Sequence, residues 1–283
     1  MTKFHLISFA GGHDKYKNAQ IRLVKQALSF DFFESITSYS QKDLDKDFVE
    51  LFGDITLKYD RGFGLWSWKP WIIKKQINKL NIGDKLLYLD VGFEINIKAK
   101  ANMINFENLL HDKKFVAFGN GHMHQEYTKP DDRILSAKSR FKPQVSAALI
   151  SLVKCEKTEK IVEEWLELCS MNQGELLKED FYEGSEKKLY AKHRHDQSIL
   201  TSVLYEMNYE PFSPDPTFST HWKDLKDSPF INFRNYSSRP LVNLELTYGI
   251  KGKFINLVRK FLLTIRFRKF ESKLKTFLFN QKL

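Results

Sequence analysis

Apolar and polar positions divide the chain into alternating short runs. Residues 3 to 10 form a largely apolar run closed by Gly11-Gly12. From Ala19 to Phe30 the apolar residues Ile21, Val24, Ala27 and Leu28 recur at helical spacing. This predicts a strand, a glycine turn and a helix. A second helix is predicted from Trp71 to Leu80, carrying Ile72, Ile73 and Ile77, entered through Pro70 in its first turn and stopped near Gly83. Residues 85 to 89 read as a continuous buried strand with Asp90 and Gly92 at its end. A further strand over Phe115–Phe118 runs into Gly119-Asn120-Gly121. Another, Val145–Val153, leads into a helix from about Thr158 to Cys169 that buries Ile161, Trp165 and Leu168. Beyond residue 208 the proline-rich stretches EPFSPDPTFSTHW and DSPFINFRNYSSRP read as loops over the sheet. Strands alternating with helices predict an α/β fold with an open sheet that binds ligands at the carboxyl ends of its strands.

Charge changes the picture of where the chain works. The 283 residues carry a formal charge of +10 with 42% hydrophobic content, a globular composition. Between Lys251 and Leu283 ten Lys and Arg face only Glu271, so this tail holds +9, and residues 1 to 250 hold +1. The domain division expected is therefore a catalytic body over 1–250 and a basic tail over 251–283. The tail's apolar positions Phe254, Val258, Phe261 and Ile265 share one helical face, and Phe267, Phe270, Leu274 and Phe277 the opposite one. That predicts two short basic amphipathic helices, or one broken one, suited to an anionic membrane surface. The opening MTKFHLISFAGGHD lacks a signal peptide's apolar region, and no apolar run reaches 18 residues. Cys155 and Cys169 fall roughly 21 Å apart along one helix, too far to bridge. A cytoplasmic location, peripheral at the inner face of the membrane, is the expectation.

The candidate chemistry gathers in three places. Asp90, at a strand end before Val91-Gly92, is placed to hold a divalent cation bridging to phosphate, although an Asp before glycine also caps turns. RGFGLWSWKPW, Arg61 to Trp71, sets three tryptophans, an arginine and a lysine in eleven residues. Aromatic faces stack on bases and sugars, and Arg61 and Lys69 supply donors to phosphate, while Trp68 and Trp71 also suit a core. KHRHDQS, residues 192 to 198, opens an apolar helix with a carboxylate, an imidazole and free amides together, a general-base and anion arrangement. The pairs His193/His195 and His122/His124 share a metal only if a third ligand joins them.

Together RGFGLWSWKPWIIKKQI, GDKLLYLDVGFEIN, EYTKPD, SAALISLVKCEKTEKIVEEWLELC and HRHDQSIL resemble the ordered motifs of bacterial glycosyltransferases found with O-antigen and capsule loci. The likeness spans about residues 3 to 220. It implies a GT-A-like open mixed sheet flanked by helices, a nucleotide-sugar donor with UDP favoured, and a saccharide acceptor, lipid-linked, in surface polysaccharide or lipooligosaccharide synthesis. YLDVG stands where such enzymes keep a metal-binding DxD, with Gly92 replacing the second Asp. HDQS is similar to the HDES segment of blood-group-type galactosyltransferases, with Gln197 in place of the Glu that faces the reacting carbon.

The expected roles follow. Asp196 and His195 are catalytic, and Ser8, Phe9, Ala10, Gly11, Arg61, Trp66, Lys69, Asp90 and Gly92 bind the donor. Lys129, Asp131 and Gln197 bind the acceptor, and Asp90 with His221 holds Mn²⁺ or Mg²⁺. The rival reading is a basic nucleic-acid- or membrane-binding protein with an idle α/β body. A neutral body without aromatics interleaved in a basic stripe counts against nucleic acid.

Overall fold

The computed structural model describes residues 3–179, 190–211, 215–219 and 222–241. The amphipathic tail and His221 lie outside the described residues. Met1–Arg239 forms one compact unit. In chain order its elements are β1 (Phe4–Ala10), α1 (Asp14–Phe30), β2 (Ser35–Ser40), α2 (Lys46–Phe52), α3 (Ile55–Lys58), α4 (Gly62–Leu65), α5 (Trp68–Ile77) and β3 (Lys85–Leu89). There follow β4 (Glu94–Ile95), α6 (Met103–Lys113), β5 (Phe115–Met123), β6 (Pro143–Val153), α7 (Glu156–Gly174), α8 (His195–Glu206), α9 (Trp222–Leu225) and β7 (Phe230–Ile231).

The central sheet has the order β2-β1-β3-β6-β5. β1 pairs parallel with β2 and β3, and β6 runs antiparallel to β3 and β5, so four strands point one way. This is the mixed, mostly parallel α/β sheet flanked by helices that the alternation predicts. Both faces are covered because successive strand residues point to opposite sides. Ile7, Leu86, Tyr88 and Ile150 pack beneath α5, α7 and α8. Leu6, Leu87, Leu89 and Leu149 pack beneath α1 and α6.

Several boundaries and one face differ from expectation. α5 begins at Trp68, which brings Lys69 into its first turn. β5 continues through Gly119-Asn120-Gly121 with register shifts against β6. The buried face of α1 is Ala19, Arg22, Leu23, Gln26, Ala27 and Phe30, while Ile21 and Leu28 are exposed. Polar groups turn inward there because they have partners. The Arg22 guanidinium donates to the carbonyls of Val91 (2.8 Å), Phe93 (2.7 Å), Asn235 (2.8 Å) and Ser237 (2.9 Å). Gln26 and Asn235 donate to buried Glu94 at 3.3 and 2.6 Å. The late segment, expected as plain loops, instead forms a small second sheet: β7 pairs antiparallel with β4, and Arg22 staples 235–237 to residues 91–93 just past β3.

Candidate active site

A cavity of about 670 Å³ opens at the carboxyl ends of β1 and β3. Phe9, Gly11 and Gly12 come to it from β1 and its turn, Tyr88, Asp90 and Val91 from β3, and Lys15 and Tyr16 from α1. Arg61, Gly62, Phe63, Trp66 and Trp68 close one side and Tyr236 another. A second cavity of about 560 Å³ lies beside α6 and is lined by Asn102, Phe106, Thr217 and Asp224, with none of the predicted site residues.

The Arg61 side of the wall is built from a left-handed turn. Gly62, Phe63, Gly64, Leu65 and Trp66 have φ of 62°, 51°, 84°, 57° and 61° in succession. Such backbone costs roughly 1–2 kcal/mol for each of Phe63, Leu65 and Trp66, which have a Cβ. Glycine is required at 62, where a Cβ would lie 2.3 Å from the Trp66 ring, and at 64, where it would meet the Thr56 backbone at 3.0 Å. Local bonds hold the strain: Leu65 N–H donates to Arg61 O (2.9 Å), Gly64 N–H to Tyr59 O (2.8 Å), and Trp68 Nε1–H to Gly62 O (3.0 Å). Trp68 stacks on Phe9 at 4.0 Å between centroids, tying the turn to the sheet. The result presents Arg61, Phe63 and Trp66 side by side on the cavity wall.

Behind Asp90 lies a buried ionic cluster. Lys69, 3% exposed, places Nζ 3.2 Å from Asp90 Oδ1 and 3.4 Å from Asp196 Oδ2, and donates to Ala147 O on β6 at 3.0 Å. The Tyr88 hydroxyl donates to the same Asp90 oxygen. Burial pulls the Lys69 ammonium down, but the carboxylates of Asp196 and Asp90 outweigh it and hold the pKa above the ordinary lysine value. Burial pushes the Asp196 carboxyl up to about 7, with Lys69 opposing and Asp90 reinforcing. Asp196 Oδ2 faces Lys69 at charge-contact distance yet has no aligned hydrogen bond, an orphan in a fully enclosed site. The Asp196 main chain is pinned by Trp165, whose Nε1–H donates to its carbonyl at 2.9 Å. Asp90, with a side chain 33% exposed, is the member of the cluster that reaches the cavity.

His195 belongs to a different arrangement. Its Nδ1–H donates to Leu177 O (2.7 Å), leaving Nε2 to accept from Arg61 Nε at 3.0 Å. Burial lowers its pKa to about 4, so the ring stays neutral and holds the guanidinium in place. His193 and His124 are similarly buried and neutral, lowered by burial to about 3 and about 4. His193 Nε2–H donates to Leu176 O (2.9 Å) and Nδ1 accepts from Lys129 N (3.2 Å). His124 Nε2–H donates to Ile134 O (3.1 Å) and Nδ1 accepts from Thr128 (2.9 Å).

The other predicted residues divide between wall and support. Ser8 is buried and accepts from Gln20 at 3.2 Å, and Ala10 is buried, while Phe9 and Gly11 reach the cavity. Gln197 is held against β6 by donating to Gln144 at 2.8 Å. Lys129 is buried with Nζ on Glu175 O (2.9 Å), and Asp131 takes Arg133 at 2.6 Å; neither lines the cavity. Residues the motifs did not single out are Tyr88, Phe63, Tyr236, Arg22 and Arg234. Tyr88 was findable, since it stands two before Asp90 and so on the same strand face.

Among the described residues, those around Asp90 do not by themselves make a divalent-cation site, and His221, the other expected ligand, lies outside them. No group of three His, Cys, Asp or Glu suited to a metal occurs among the described residues. Position 92 is a glycine that brings no carboxylate, and it is crowded: a Cβ there would lie 3.1 Å from the Arg234 Cα and 3.2 Å from the Tyr236 ring. Asp90 Oδ1 already receives Tyr88 and Lys69, which leaves Oδ2 as its one open oxygen.

No family model matches the sequence, and no curated protein matches it. Among solved structures the chain is similar to a glycosyltransferase involved in the glycosylation of the major capsid of PBCV-1, at 13% identity over 81% of this chain and 91% of that one, with a TM-score of 0.44. It is similar to mouse xyloside xylosyltransferase 1 at 12% identity, over 84% of this chain and 95% of that one, with a TM-score of 0.43. The galactosyltransferase LgtC matches at 13% identity over 71% and 70% of the two chains, with a TM-score of 0.38.

Proposed function

We propose that the protein is a glycosyltransferase of GT-A type that moves a sugar from a nucleotide-linked donor, UDP favoured, to a saccharide acceptor. The observation that carries this reading is the cavity itself. At the carboxyl ends of parallel strands it combines an aromatic wall, exposed cations and one carboxylate backed by a buried ion cluster.

Phe63, Trp66, Trp68 and Tyr16 offer faces for a base and for sugar C–H groups. Arg61 and Lys15 meet the diphosphate, whose charge grows as the glycosidic bond breaks. Asp90 accepts a sugar hydroxyl through the oxygen that Tyr88 and Lys69 leave open. Lys69 neutralises Asp90, and Asp196 positions Lys69 from behind. His195 positions Arg61 by the same logic.

Surface polysaccharide synthesis, of the O-antigen, capsule or lipooligosaccharide kind, with a lipid-linked acceptor, is the setting we infer from the motif resemblance. The +9 tail suits a cytoplasmic enzyme resting on an anionic inner leaflet. Flotation of the full chain with anionic liposomes against a 1–250 truncation tests the tail, and equal binding overturns that role. Radiolabelled UDP- and GDP-sugars with saccharide acceptors test the activity. Donor turnover, or donor-dependent thermal stabilisation, is expected; neither with any donor overturns the reading.

A further inference from the structure

We propose that the donor diphosphate is held here by side-chain cations, Arg61 foremost, without a divalent metal. The inference rests on the donor-binding reading above and concerns the charge balance of that same cavity.

The first ground is the closed second-ligand position. Gly92 is crowded by main chain and by the Tyr236 ring: Asn235 N–H donates to Gly92 O at 3.0 Å, and the Arg234 Cα lies 3.1 Å and the Tyr236 ring 3.2 Å from where a Cβ would stand. Arg22 fixes both segments of this contact, through Val91 O and Phe93 O on one side and Asn235 O and Ser237 O on the other. A carboxylate at 92 therefore requires the stapled segment to move.

The second ground is that the charge a metal would supply is already present. Lys69 Nζ stands 3.2 Å from Asp90 Oδ1, so a divalent ion bound to that carboxylate at about 2.1 Å would sit close to a buried ammonium with nowhere to retreat. Lys69 instead cancels Asp90, which would otherwise repel a diphosphate. The third ground is Arg61. Its Nε is spent on His195, which fixes the fork, and its terminal nitrogens have no hydrogen bond among the described residues. Arginine offers paired donors to phosphate oxygens in a fixed plane. Lys15 stands on the same cavity wall.

Calorimetric titration of the full chain with UDP and with GDP, in EDTA and then with Mn²⁺ or Mg²⁺, tests the proposal. The dissociation constant is expected to agree within about twofold across these conditions. Arg61→Ala should weaken binding about tenfold or more with and without metal, and Arg61→Lys by less. Manganese resonance spectra of the protein alone should match free Mn²⁺. Tightening of about tenfold on adding metal, or a protein-bound manganese signal, overturns this proposal and leaves the glycosyltransferase reading standing. Absence of UDP and GDP binding in every condition overturns both.

Discussion

Two groups of buried ionisable side chains lie on the same side of the sheet and are solved in opposite ways. Around Lys69 an ammonium and two carboxyl groups are packed closely and incompletely bonded, with Asp196 Oδ2 left without an aligned hydrogen bond and Asp90 open to a cavity. Around His193 the groups are neutral, and each imidazole of His124, His193 and His195 spends both nitrogens, one donating to a carbonyl and one accepting. A fully satisfied neutral network rigidifies a loop; an under-satisfied charged one retains capacity for a ligand. The difference separates scaffold from site more sharply than residue type does, since histidines are the more familiar catalysts.

Lys69 is the side chain on which the carboxyl pair of Asp90 and Asp196 depends most. Lys69→Met leaves two facing carboxylates in a closed space and is expected to cost about 3–5 kcal/mol of stability, read by urea unfolding, together with loss of donor turnover. Adding Asp196→Asn should restore part of the stability and none of the turnover.

Acid separates the two groups by sign. The folded pKa values of His124, His193 and His195 lie below the unfolded one, so their contribution is complete above about 6.5 and is lost as pH falls through the window down to about 4. Asp196, raised to about 7, acts oppositely, because its folded form keeps a proton that the unfolded form releases above about 4. Three sites against one should make stability fall by about 2 kcal/mol per pH unit between pH 6 and 5. Thermal unfolding across that range checks it; a flat or rising profile contradicts neutral buried histidines.

Gly62→Ala tests the strained wall. With the Trp66 ring 2.3 Å from the new Cβ, we expect about 1–3 kcal/mol of destabilisation and a raised KM for the donor. Gly121→Ala, also at positive φ but with open space around it, should cost about 1–2 kcal/mol from the backbone alone and leave KM alone. The smallest effect is expected for Asp196→Asn at pH 6, within about 1 kcal/mol, because the carboxyl it replaces is already largely protonated there. That substitution should also flatten the stability profile between pH 6 and 8.

Much of the frame was readable in the sequence, and the reasons for the misses are physical. Largely apolar runs gave β1, β3 and β6 because interior strands of a sheet covered by helices on both faces need both faces apolar. β2, with its SITSYS sequence, has no such run and sits at the sheet edge. On α1 the apolar spacing pointed to Ile21 and Leu28, which are exposed, because Arg22 and Gln26 occupy the inner face with carbonyl and carboxylate partners far away in sequence. Long-range polar pairing leaves no periodic trace. At the site, Asp90, Arg61 and Lys69 stood out through strand-end position and local density, and the structure brings Lys69 to Asp90 and Asp196. Lys129 and Asp131 came from motif resemblance alone and stand away from the cavity wall. The left-handed turn was marked only by Gly62 and Gly64, since Phe63, Leu65 and Trp66 have no preference for it.

That turn and its stack on Phe9 make the protein its own optical probe. Trp66 and Trp68 wall the cavity, and Trp165 is sealed beneath it with its indole N–H on the Asp196 carbonyl. A nucleotide entering the cavity should quench the emission of the first two against a background from the chain's three other tryptophans. Occupancy is then readable from the fall in tryptophan emission, with no label attached.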